Sequence, residues 1–332
     1  MSRTAQLAAA LSSVPIAPPR ARRALKTRKP TGQVSWPVIL VEGGEGTGKT
    51  HAMAELTADP RVGRAFWFDL GEGSADEFGA IGDYEVVELD GTWSDLVDQL
   101  YNVIDIAEAA HAAGEPPVVV CVDSVSAVWD MCSGWAHAKA ANSKANRAIL
   151  KSDPDADINI GPLVWTNARD RWYSFFRPLK MSPMIVAVAA RAADSVAIEG
   201  GRPVPGKTVY KIRAQRDLPL DVNAIVRLST ENFPTVTKCR SPKWGLRPGV
   251  DQPKAIRDLS LGKLIFDGMG FDPKGTQIAD QVELELVPEL PADVAEQVAA
   301  LAEETATPKG WTDVTVARTP GGAVLDTPGV SA

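Results

Sequence analysis

The 332-residue sequence predicts an α/β protein in which helices cover both faces of a mainly parallel β-sheet. Two short apolar runs, at 37–41 and 117–123, lack the polar–apolar alternation of strands that have one face in solvent, and they are typical of strands buried on both faces. Longer segments such as 92–113 carry apolar residues at helical spacing. Because the two patterns alternate along the chain, we expect parallel strands joined by crossover helices.

The predicted elements follow one another from residue 36 to residue 229. Strands are predicted at 37–41, 65–69, 84–89, 117–123, 184–190, 208–215 and 224–229. Helices are predicted at 50–56, 92–113 and 163–179. The last helix is rich in aromatic residues, which we assign mainly to the core, with base stacking as the alternative. The segment 192–207 is rich in Gly and Pro, which predicts a long loop.

The net charge of −7 is unevenly distributed along the sequence. Residues 1–36 contain seven basic and no acidic side chains, whereas residues 276–332 contain ten acidic and two basic ones. The first residues mix Ala, Ser, Pro and Arg without periodicity, which predicts a flexible basic arm at 1–35. We expect one folded domain at 36–275, followed by an acidic tail at 276–332 that contains one helix at 292–304.

The composition disfavours several classes of protein. Hydrophobic residues make up 45% and charged residues 23% of the sequence, the balance of a globular protein. No apolar run reaches the roughly 18–20 residues needed to cross a bilayer, so we expect no membrane association. The start of the chain lacks the hydrophobic core of a signal peptide, and its resemblance to a transit peptide is limited to a basic, acid-free composition. Three widely spaced cysteines favour reduced thiols in the cytoplasm, and three histidines without metal spacing disfavour a zinc enzyme.

A glycine-rich motif, GGEGTGKT at 43–50, lies between the first predicted strand and the first predicted helix. Glycines let the backbone curl so that many N–H groups point at a phosphate, and the start of the helix adds its positive end. Lys49 is expected to reach the β- and γ-phosphates of a nucleotide, and the Thr50 hydroxyl to bind Mg²⁺. The expected nucleotide-binding residues are Gly43, Gly44, Glu45, Gly46, Thr47, Gly48, Lys49, Thr50 and His51.

A site that binds and hydrolyses a nucleoside triphosphate also needs acidic side chains and a basic side chain near the γ-phosphate. Asp123 closes the apolar strand PVVVCVD and is expected to help hold Mg²⁺, with an N-cap of the next helix as the alternative. Glu72 is our first choice for activating the attacking water, and Asp69 is its competitor. Arg191 ends MIVAVAAR and would sense the γ-phosphate if that strand lies beside the strand of Asp123. A surface arginine is the alternative.

The order of these motifs resembles the RecA-like P-loop ATPases. More narrowly, it resembles the AAA-type or RecA-like ATPases of bacteriophage recombination modules, including those linked to single-strand annealing. The P-loop, VVVCVDSVSAVWD, VWTNARDRWYSFFRPL and MIVAVAAR carry this resemblance, which covers residues 36–245. It implies ATP and Mg²⁺ as cofactors, a homo-oligomer, and a catalytic acid shortly after the second strand. Glu72 matches that acid, although one more residue than usual separates it from Asp69.

The same resemblance implies basic residues that reach the ATP site of a neighbouring subunit. Lys211 and Arg213 lie two residues apart in VYKIR, so a strand would present both on one face. We expect these two residues to stabilise the γ-phosphate in trans. Protection of an exposed strand edge is the alternative.

RecA-like ATPases also bind DNA through two loops. One follows the strand that ends in the Mg²⁺-binding acid, and the other follows the strand that ends in the γ-phosphate sensor. In this chain the first stretch, 137–151, contains Lys139, Lys144, Arg147 and Lys151. The second, 192–207, contains Arg202 and Lys207. Either set could follow a phosphate backbone. The acidic tail would then compete with DNA, or serve only solubility.

The leading functional hypothesis is a Mg²⁺-dependent ATPase that assembles with copies of itself on single-stranded DNA and assists recombination or annealing. Its location would be the cytoplasm, that of the host if the chain is phage-encoded. The alternative is a nucleotide-dependent switch or loader acting on a protein partner, such as a helicase or another recombination or replication factor. A small-molecule kinase is disfavoured because the sequence shows neither lid arginines nor an acceptor pocket.

Overall fold

The structure is a computed structural model that describes residues 24–199, 202–241, 243–244, 246–247 and 250–276, and the short strand pair at 318–319 and 322–323. The chain divides into two compact units, 1–32 and 33–332. In the first unit, the described residues 24–32 contain neither helix nor strand. The predicted helix at 292–304 lies outside the described residues, and the predicted limits of the arm and the tail stay predictions.

One sheet forms the centre of the second unit. Its described strands are β1 (Val38–Gly43), β2 (Ala65–Asp69), β3 (Glu85–Val86), β4 (Val118–Asp123), β5 (Met184–Glu199), β6 (Arg202–Ile212), β7 (Ala224–Leu228), β8 (Thr235–Cys239) and β9 (Lys254–Ala255). The order is β3-β2-β4-β5-β1-β7-β8-β9, and β6 pairs with β5. The strands from β3 to β7 in this order are parallel, whereas β6, β8 and β9 pair antiparallel. The predicted mainly parallel α/β fold is therefore confirmed.

Helices connect the parallel strands. They are α1 (Lys49–Thr57), α2 (Trp93–Ala113), α3 (Val125–Ala141), α4 (Lys144–Ser152), α5 (Pro162–Met181) and α6 (Leu218–Asp221), and a π-helical segment follows at Lys263–Met269. Helix α2 shows how the sequence determines where a helix begins and ends. Thr92 accepts a hydrogen bond from the Asp95 N–H at 3.2 Å, and Gly114, at φ 70, ends the helix in the left-handed region.

Alternate residues of the central strands face opposite sides of the sheet and build two separate cores. Leu40 and Val120 pack on the face covered by α2, α3 and α5. Val41 and Cys121 pack on the face covered by α1 and the π-helical segment. All four side chains are fully buried. Because both faces are covered, residues on both faces of these strands are mostly apolar, which explains the absence of alternation in the sequence.

The segment 192–207 is part of a β-hairpin, so the predicted loop was wrong. Strand β5 continues beyond the parallel sheet, and its residues from Ala192 to Glu199 pair with β6, with an irregular register between Val196 and Ile198. Among the described residues β6 pairs only with β5, and an edge strand tolerates proline. Gly206, at φ 73, supplies the left-handed geometry that an irregular hairpin needs.

The basic stretch 137–151 is helical, so treating it as a loop was also wrong. It contains the end of α3 and most of α4. The helices are separated at Asn142 and Ser143, where the Ser143 hydroxyl accepts a hydrogen bond from the Asn146 N–H at 3.2 Å. Ala, Lys and Arg dominate this stretch and are strong helix formers, a preference that its polar composition concealed.

Other differences concern short elements. The predicted strand at 84–89 is reduced to β3, which pairs with β2 through two residues. Strands β8 and β9 and the π-helical segment were not predicted. None of the helices in the described part of the chain combines the length and apolar character needed to span a bilayer.

Candidate active site

The loop at 43–48 joins β1 to α1 by a tight curl of the backbone. Gly46 and Gly48 lie in the left-handed region, at φ 67 and 89. Gly43 has no room for a side chain, because a Cβ would lie 2.5 Å from Thr47 Oγ1 and 2.8 Å from the Leu228 carbonyl oxygen. Thr47 Oγ1 donates to the Gly44 carbonyl at 2.9 Å. The loop therefore has the glycine-dependent curl of a phosphate cradle.

Lys49 is the first residue of α1 and folds back over this loop. Its Nζ donates to the Gly44 carbonyl at 2.6 Å and to the Gly43 carbonyl at 3.2 Å. Burial lowers the pKa of Lys49, and the nearby carboxylates of Asp123 and Glu72 oppose that shift. The ammonium group is thus held at the mouth of the loop, where a phosphate would replace the two carbonyls as its partner.

Two residues of the predicted nucleotide-binding set are exposed. Glu45 is exposed in the loop. His51 is exposed on α1, where its Nδ1 lies 3.6 Å from the carboxylate of Glu55 one turn later. Glu45 is near enough to Lys49 for their charges to interact, and the role of both residues in nucleotide binding stays a prediction.

Thr50 and Asp123 lie together beside the loop. Thr50 Oγ1 donates to Asp123 Oδ2 at 2.7 Å, and Asp123 is 2% exposed at the end of β4. Burial, followed by the carboxylates of Glu72 and Asp69, raises the pKa of Asp123 to about 6. No group of three or more His, Cys, Asp or Glu side chains among the described residues could hold a metal alone. A hydroxyl and one carboxylate instead fit Mg²⁺, which takes its remaining ligands from phosphates and water.

The two acids after β2 have different surroundings. Asp69 accepts hydrogen bonds from the backbone N–H groups of Glu72, Gly73 and Ala75, at 3.1, 3.0 and 3.1 Å. Its carboxylate therefore shapes the loop that carries Glu72. Glu72 Oε1 accepts from the Ser124 hydroxyl at 2.9 Å, next to Asp123. The geometry favours Glu72 over Asp69 as the group that faces the nucleotide.

Arg191 lies on β5, between β4 and β1, in register with Gly43. The strand of Arg191 is thus the neighbour of the strand of Asp123. This is the arrangement in which we expected Arg191 to sense the γ-phosphate. Its guanidinium donates to Glu72 Oε1, and its backbone N–H donates to Ser126 Oγ at 3.0 Å. Arg191, Glu72 and Lys49 therefore converge on one side of the loop, near enough for their charges to interact.

The two residues predicted to act in trans lie outside this cluster. Lys211 is exposed and pairs through its backbone with Ala193. Arg213 is exposed, forms an ion pair with Asp130 at 3.0 Å, and donates its backbone N–H to the Arg191 carbonyl at 2.8 Å. Their trans role stays a prediction.

The predicted DNA-contacting residues fall on two surfaces. Lys139, Lys144, Arg147 and Lys151 are exposed on α3 and α4. Arg202 is exposed at the start of β6, and the side chain of Lys207 lies outside the described residues. Of the aromatic residues on α5, Trp172, Phe175 and Phe176 are buried, and Trp165 is 37% exposed. Of the aromatic side chains described on α5, Trp165 and the half-buried Tyr173 are accessible, and base stacking by this helix stays a hypothesis.

Sequence reasoning missed Ser126, Glu42 and Arg227. Glu42 directly precedes the loop and is 3% exposed, and Arg227 Nε donates to its Oε1 at 2.7 Å. An acid inside an otherwise apolar strand was the available signal for Glu42. Nothing in the local pattern marks Ser126 or Arg227.

Comparison with known proteins decides the family. A family model described as an AAA domain matches residues 36–241, more than half of the chain. The chain belongs to this family. An AAA domain is an ATPase domain that uses ATP and Mg²⁺, in agreement with the loop at 43–48 and the Thr50–Asp123 pair. The AAA-type P-loop fold predicted from the sequence is confirmed, whereas the phage and recombination assignment stays a prediction.

Solved structures that match part of this chain include two ATPases of bacterial type III secretion systems. One is a prototypical ATPase from pathogenic bacteria, 14% identical, with a TM-score of 0.31 over 60% of this chain and 52% of that chain. The other is EscN of enteropathogenic E. coli in complex with its central stalk EscO, 15% identical, with a TM-score of 0.33 over 60% of this chain and 44% of that chain. The matched part of this chain thus spans about half the length of each of these two ATPases. A comparison with curated proteins gives no significant match.

Proposed function

We propose that this AAA domain protein is a Mg²⁺-dependent ATP hydrolase of RecA-like type that binds single-stranded DNA and assists recombination or annealing. One observation carries the proposal. The β5–β6 hairpin begins directly after Arg191, whose guanidinium contacts Glu72. Of the hairpin residues predicted to contact DNA, Arg202 is exposed at the start of β6, and Lys207 lies on the same strand. DNA bound along the hairpin would therefore act on the catalytic carboxylate through one strand.

The proposed chemistry is the attack of water on the γ-phosphate. Glu72 orients the water and accepts its proton as the new P–O bond forms and the bond to the bridging oxygen breaks, leaving ADP and phosphate. Lys49 exchanges its two carbonyl partners for β- and γ-phosphate oxygens. Arg191 stabilises the charge on the γ-phosphate. Mg²⁺, held by Thr50 and by Asp123, supplies positive charge to the phosphates when it is bound.

A second basic surface supports the proposal. Lys144, Arg147 and Lys151 are exposed on α4 at the spacing i, i+3 and i+7, which places them on one side of the helix. Such a row of cations suits the phosphates of a nucleic acid backbone. Binding through this row is independent of base sequence, as annealing of arbitrary strands requires.

Assembly with copies of itself is part of the proposal. The side chain of Arg213 is 63% exposed and that of Asp130 is 42% exposed, so their ion pair is weak in water and easily exchanged. We assign Lys211 and Arg213 to the ATP site of a neighbouring copy, where a γ-phosphate would replace Asp130 as the partner of Arg213. This arrangement would make hydrolysis depend on assembly.

Fluorescence anisotropy of a labelled single-stranded oligonucleotide tests DNA binding. The affinity should be higher with a non-hydrolysable ATP analogue than with ADP, and its logarithm should fall linearly with the logarithm of salt concentration. Replacing Arg147 and Lys151 by Ala should reduce the slope by about 0.7 for each phosphate that the variant no longer neutralises. The matched control is Lys263→Ala, which removes an exposed lysine from the π-helical segment. A protein that shows no salt-sensitive binding in either nucleotide state would contradict the proposal.

The second candidate is a nucleotide-dependent switch or loader for a protein partner. Exposed apolar side chains favour it, because Leu163 is 73% exposed, Ile149 43% and Trp165 37%, all on α4 or α5. For this candidate, Leu163→Ser should abolish capture of a helicase or another recombination factor and leave oligonucleotide binding unchanged. For the leading proposal, Leu163→Ser changes neither the anisotropy nor its salt slope.

A further inference from the structure

Glu42 is a buried carboxylate in β1, directly before the nucleotide loop at 43–48. It is 3% exposed and immediately precedes Gly43, whose carbonyl accepts a hydrogen bond from Lys49. A buried charge needs a partner of opposite charge. Arg227, directly opposite Glu42 in the pairing of β1 with β7, provides it through Nε at 2.7 Å. The position of Arg227 therefore helps to set the position of the end of β1.

Arg227 has a second partner on a different element. Its guanidinium carbon lies 3.9 Å from the ring centre of Tyr210. Tyr210 is half-buried on β6, where it pairs through its backbone with Asp194 of β5. A cation over an aromatic ring is attracted by the ring face, and a planar guanidinium can also stack on the ring, which an ammonium cannot. One side chain thus contacts both the hairpin and the strand that leads into the nucleotide loop.

We propose that Arg227 is a positioning residue that links the β5–β6 hairpin to the nucleotide loop, so that the position of the hairpin sets the affinity for ATP. The link runs from the Tyr210 ring through Arg227 to Glu42, and from there along the backbone to Gly43 and its contact with Lys49. None of these contacts requires DNA. The inference rests on ATP hydrolysis alone and holds whatever ligand the hairpin binds.

This link is separate from the contact between Arg191 and Glu72 at the base of the same hairpin. Arg191 contacts the group that activates water and is expected to contact the γ-phosphate, so its loss lowers the rate of the chemical step as well as the affinity for ATP. Arg227 acts on the loop that holds the nucleotide, so it affects ground-state and transition-state binding equally. The expected signature of the Arg227 link is therefore a change in KM for ATP with kcat preserved.

Steady-state ATP hydrolysis without DNA tests the inference. Tyr210→Ala removes the ring and should raise KM for ATP by about 3- to 10-fold, within the range that a cation–aromatic contact provides, while kcat changes less than about twofold. Tyr210→Phe keeps the ring and should restore the wild-type KM. Arg227→Lys keeps a charge for Glu42 but loses the planar group that stacks on the ring, so it should raise KM in the same direction as Tyr210→Ala and by no more than that variant. Val209→Ala, at the neighbouring exposed position of β6, is the matched control.

The double variant Tyr210→Ala/Arg227→Lys should be no worse than Tyr210→Ala alone, because both substitutions act on the same contact. Additive effects, an unchanged KM in Tyr210→Ala, or a Tyr210→Phe variant as impaired as Tyr210→Ala would each overturn the inference. If Tyr210→Ala fails to fold, hydrogen exchange of residues 202–212 in the wild type provides the test. Exchange should slow when ADP binds, and exchange that is insensitive to ADP would overturn the inference. Failure of DNA binding in the anisotropy experiment leaves all these outcomes unaffected.

Discussion

Arg191 holds a single carboxylate oxygen of Glu72, Oε1, at 2.9 Å through Nε and at 2.8 Å through a terminal guanidinium nitrogen. The side chains are 46% and 25% exposed, so the pair lies at the open edge of the site. The γ-phosphate of ATP offers Arg191 a competing anionic partner. The arginine expected to sense the γ-phosphate and the glutamate expected to activate water are thus already joined.

Replacing the two acids after β2 should separate their roles. Glu72→Gln should lower kcat by about 10²- to 10⁴-fold and leave ATP binding intact, because it removes the proton acceptor and keeps the shape. Asp69→Asn should instead lower the thermal unfolding midpoint, because an amide oxygen accepts less strongly from the three backbone N–H groups that Asp69 holds. Parallel measurements of kcat and thermal unfolding distinguish them. A Glu72→Gln protein with wild-type kcat would remove Glu72 from the mechanism.

Comparing the affinities for an ATP analogue and for ADP tests the role of Arg191. Arg191→Ala should weaken binding of a non-hydrolysable ATP analogue by about tenfold and change ADP affinity less than about twofold, because ADP lacks the γ-phosphate. Arg191→Lys should recover part of the loss, since it keeps the charge but loses the planar guanidinium. Isothermal titration with both nucleotides measures the difference. Equal losses for the two nucleotides would show that Arg191 only supports the structure of the loop.

The pKa of Asp123 gives a prediction for stability. Its folded-state pKa is raised to about 6 from 3.8, chiefly by burial, so the Mg²⁺-free protein loses stability as the pH rises from about 4 to about 6, and the full loss remains at higher pH. Asp123→Asn should therefore be more stable than the wild type at pH 8, by on the order of 1 to 3 kcal/mol. The gain should disappear near pH 4, where the wild-type carboxyl is protonated in the folded state.

Denaturant unfolding in EDTA at both pH values measures this difference, with Asp98→Asn as a control that replaces an exposed acid on α2. Asp98→Asn should not reproduce the gain at pH 8. A constant difference between Asp123→Asn and wild type from pH 4 to pH 8 would contradict the assignment of the raised pKa to Asp123.

Much of the site could be predicted because its residues belong to local patterns. The spacing of GGEGTGKT fixes Lys49 and Thr50, and an acid at the end of a buried strand marks Asp123. The choice between Glu72 and Asp69 could not be made, because it depends on a loop conformation in which three backbone N–H groups engage Asp69.

The remaining contacts are long-range or contradict local propensity. Glu42 and Arg227 are 185 residues apart in the sequence, so no local pattern brings them together. The β5–β6 hairpin was missed for a different reason. Its glycine and proline residues predict a loop, and the pairing with β5 overrides that propensity at an edge where proline is tolerated.

Mixing two inactive proteins tests action in trans. Lys49→Ala and Arg213→Ala should each be inactive alone, the first from loss of phosphate binding and the second from loss of the neighbouring charge. In a mixture, about a quarter of the sites should combine an intact Lys49 with an intact Arg213 from the adjacent copy, and activity should recover in proportion. ATP hydrolysis by the mixture measures this recovery. A mixture that stays inactive, with both proteins still assembled, would contradict the interface role of Arg213.

The coupling of ATP hydrolysis to single-stranded DNA is the centre of this account, and its most direct test is the hydrolysis rate with and without an oligonucleotide. We expect kcat to rise by about tenfold or more with DNA, because DNA bound to the hairpin would reposition Glu72. Arg202→Glu should abolish the stimulation and leave the basal rate unchanged, since Arg202 is exposed and pairs with Glu199, at the end of the hairpin opposite Arg191. A hydrolysis rate that is identical with and without DNA at low salt would contradict the account.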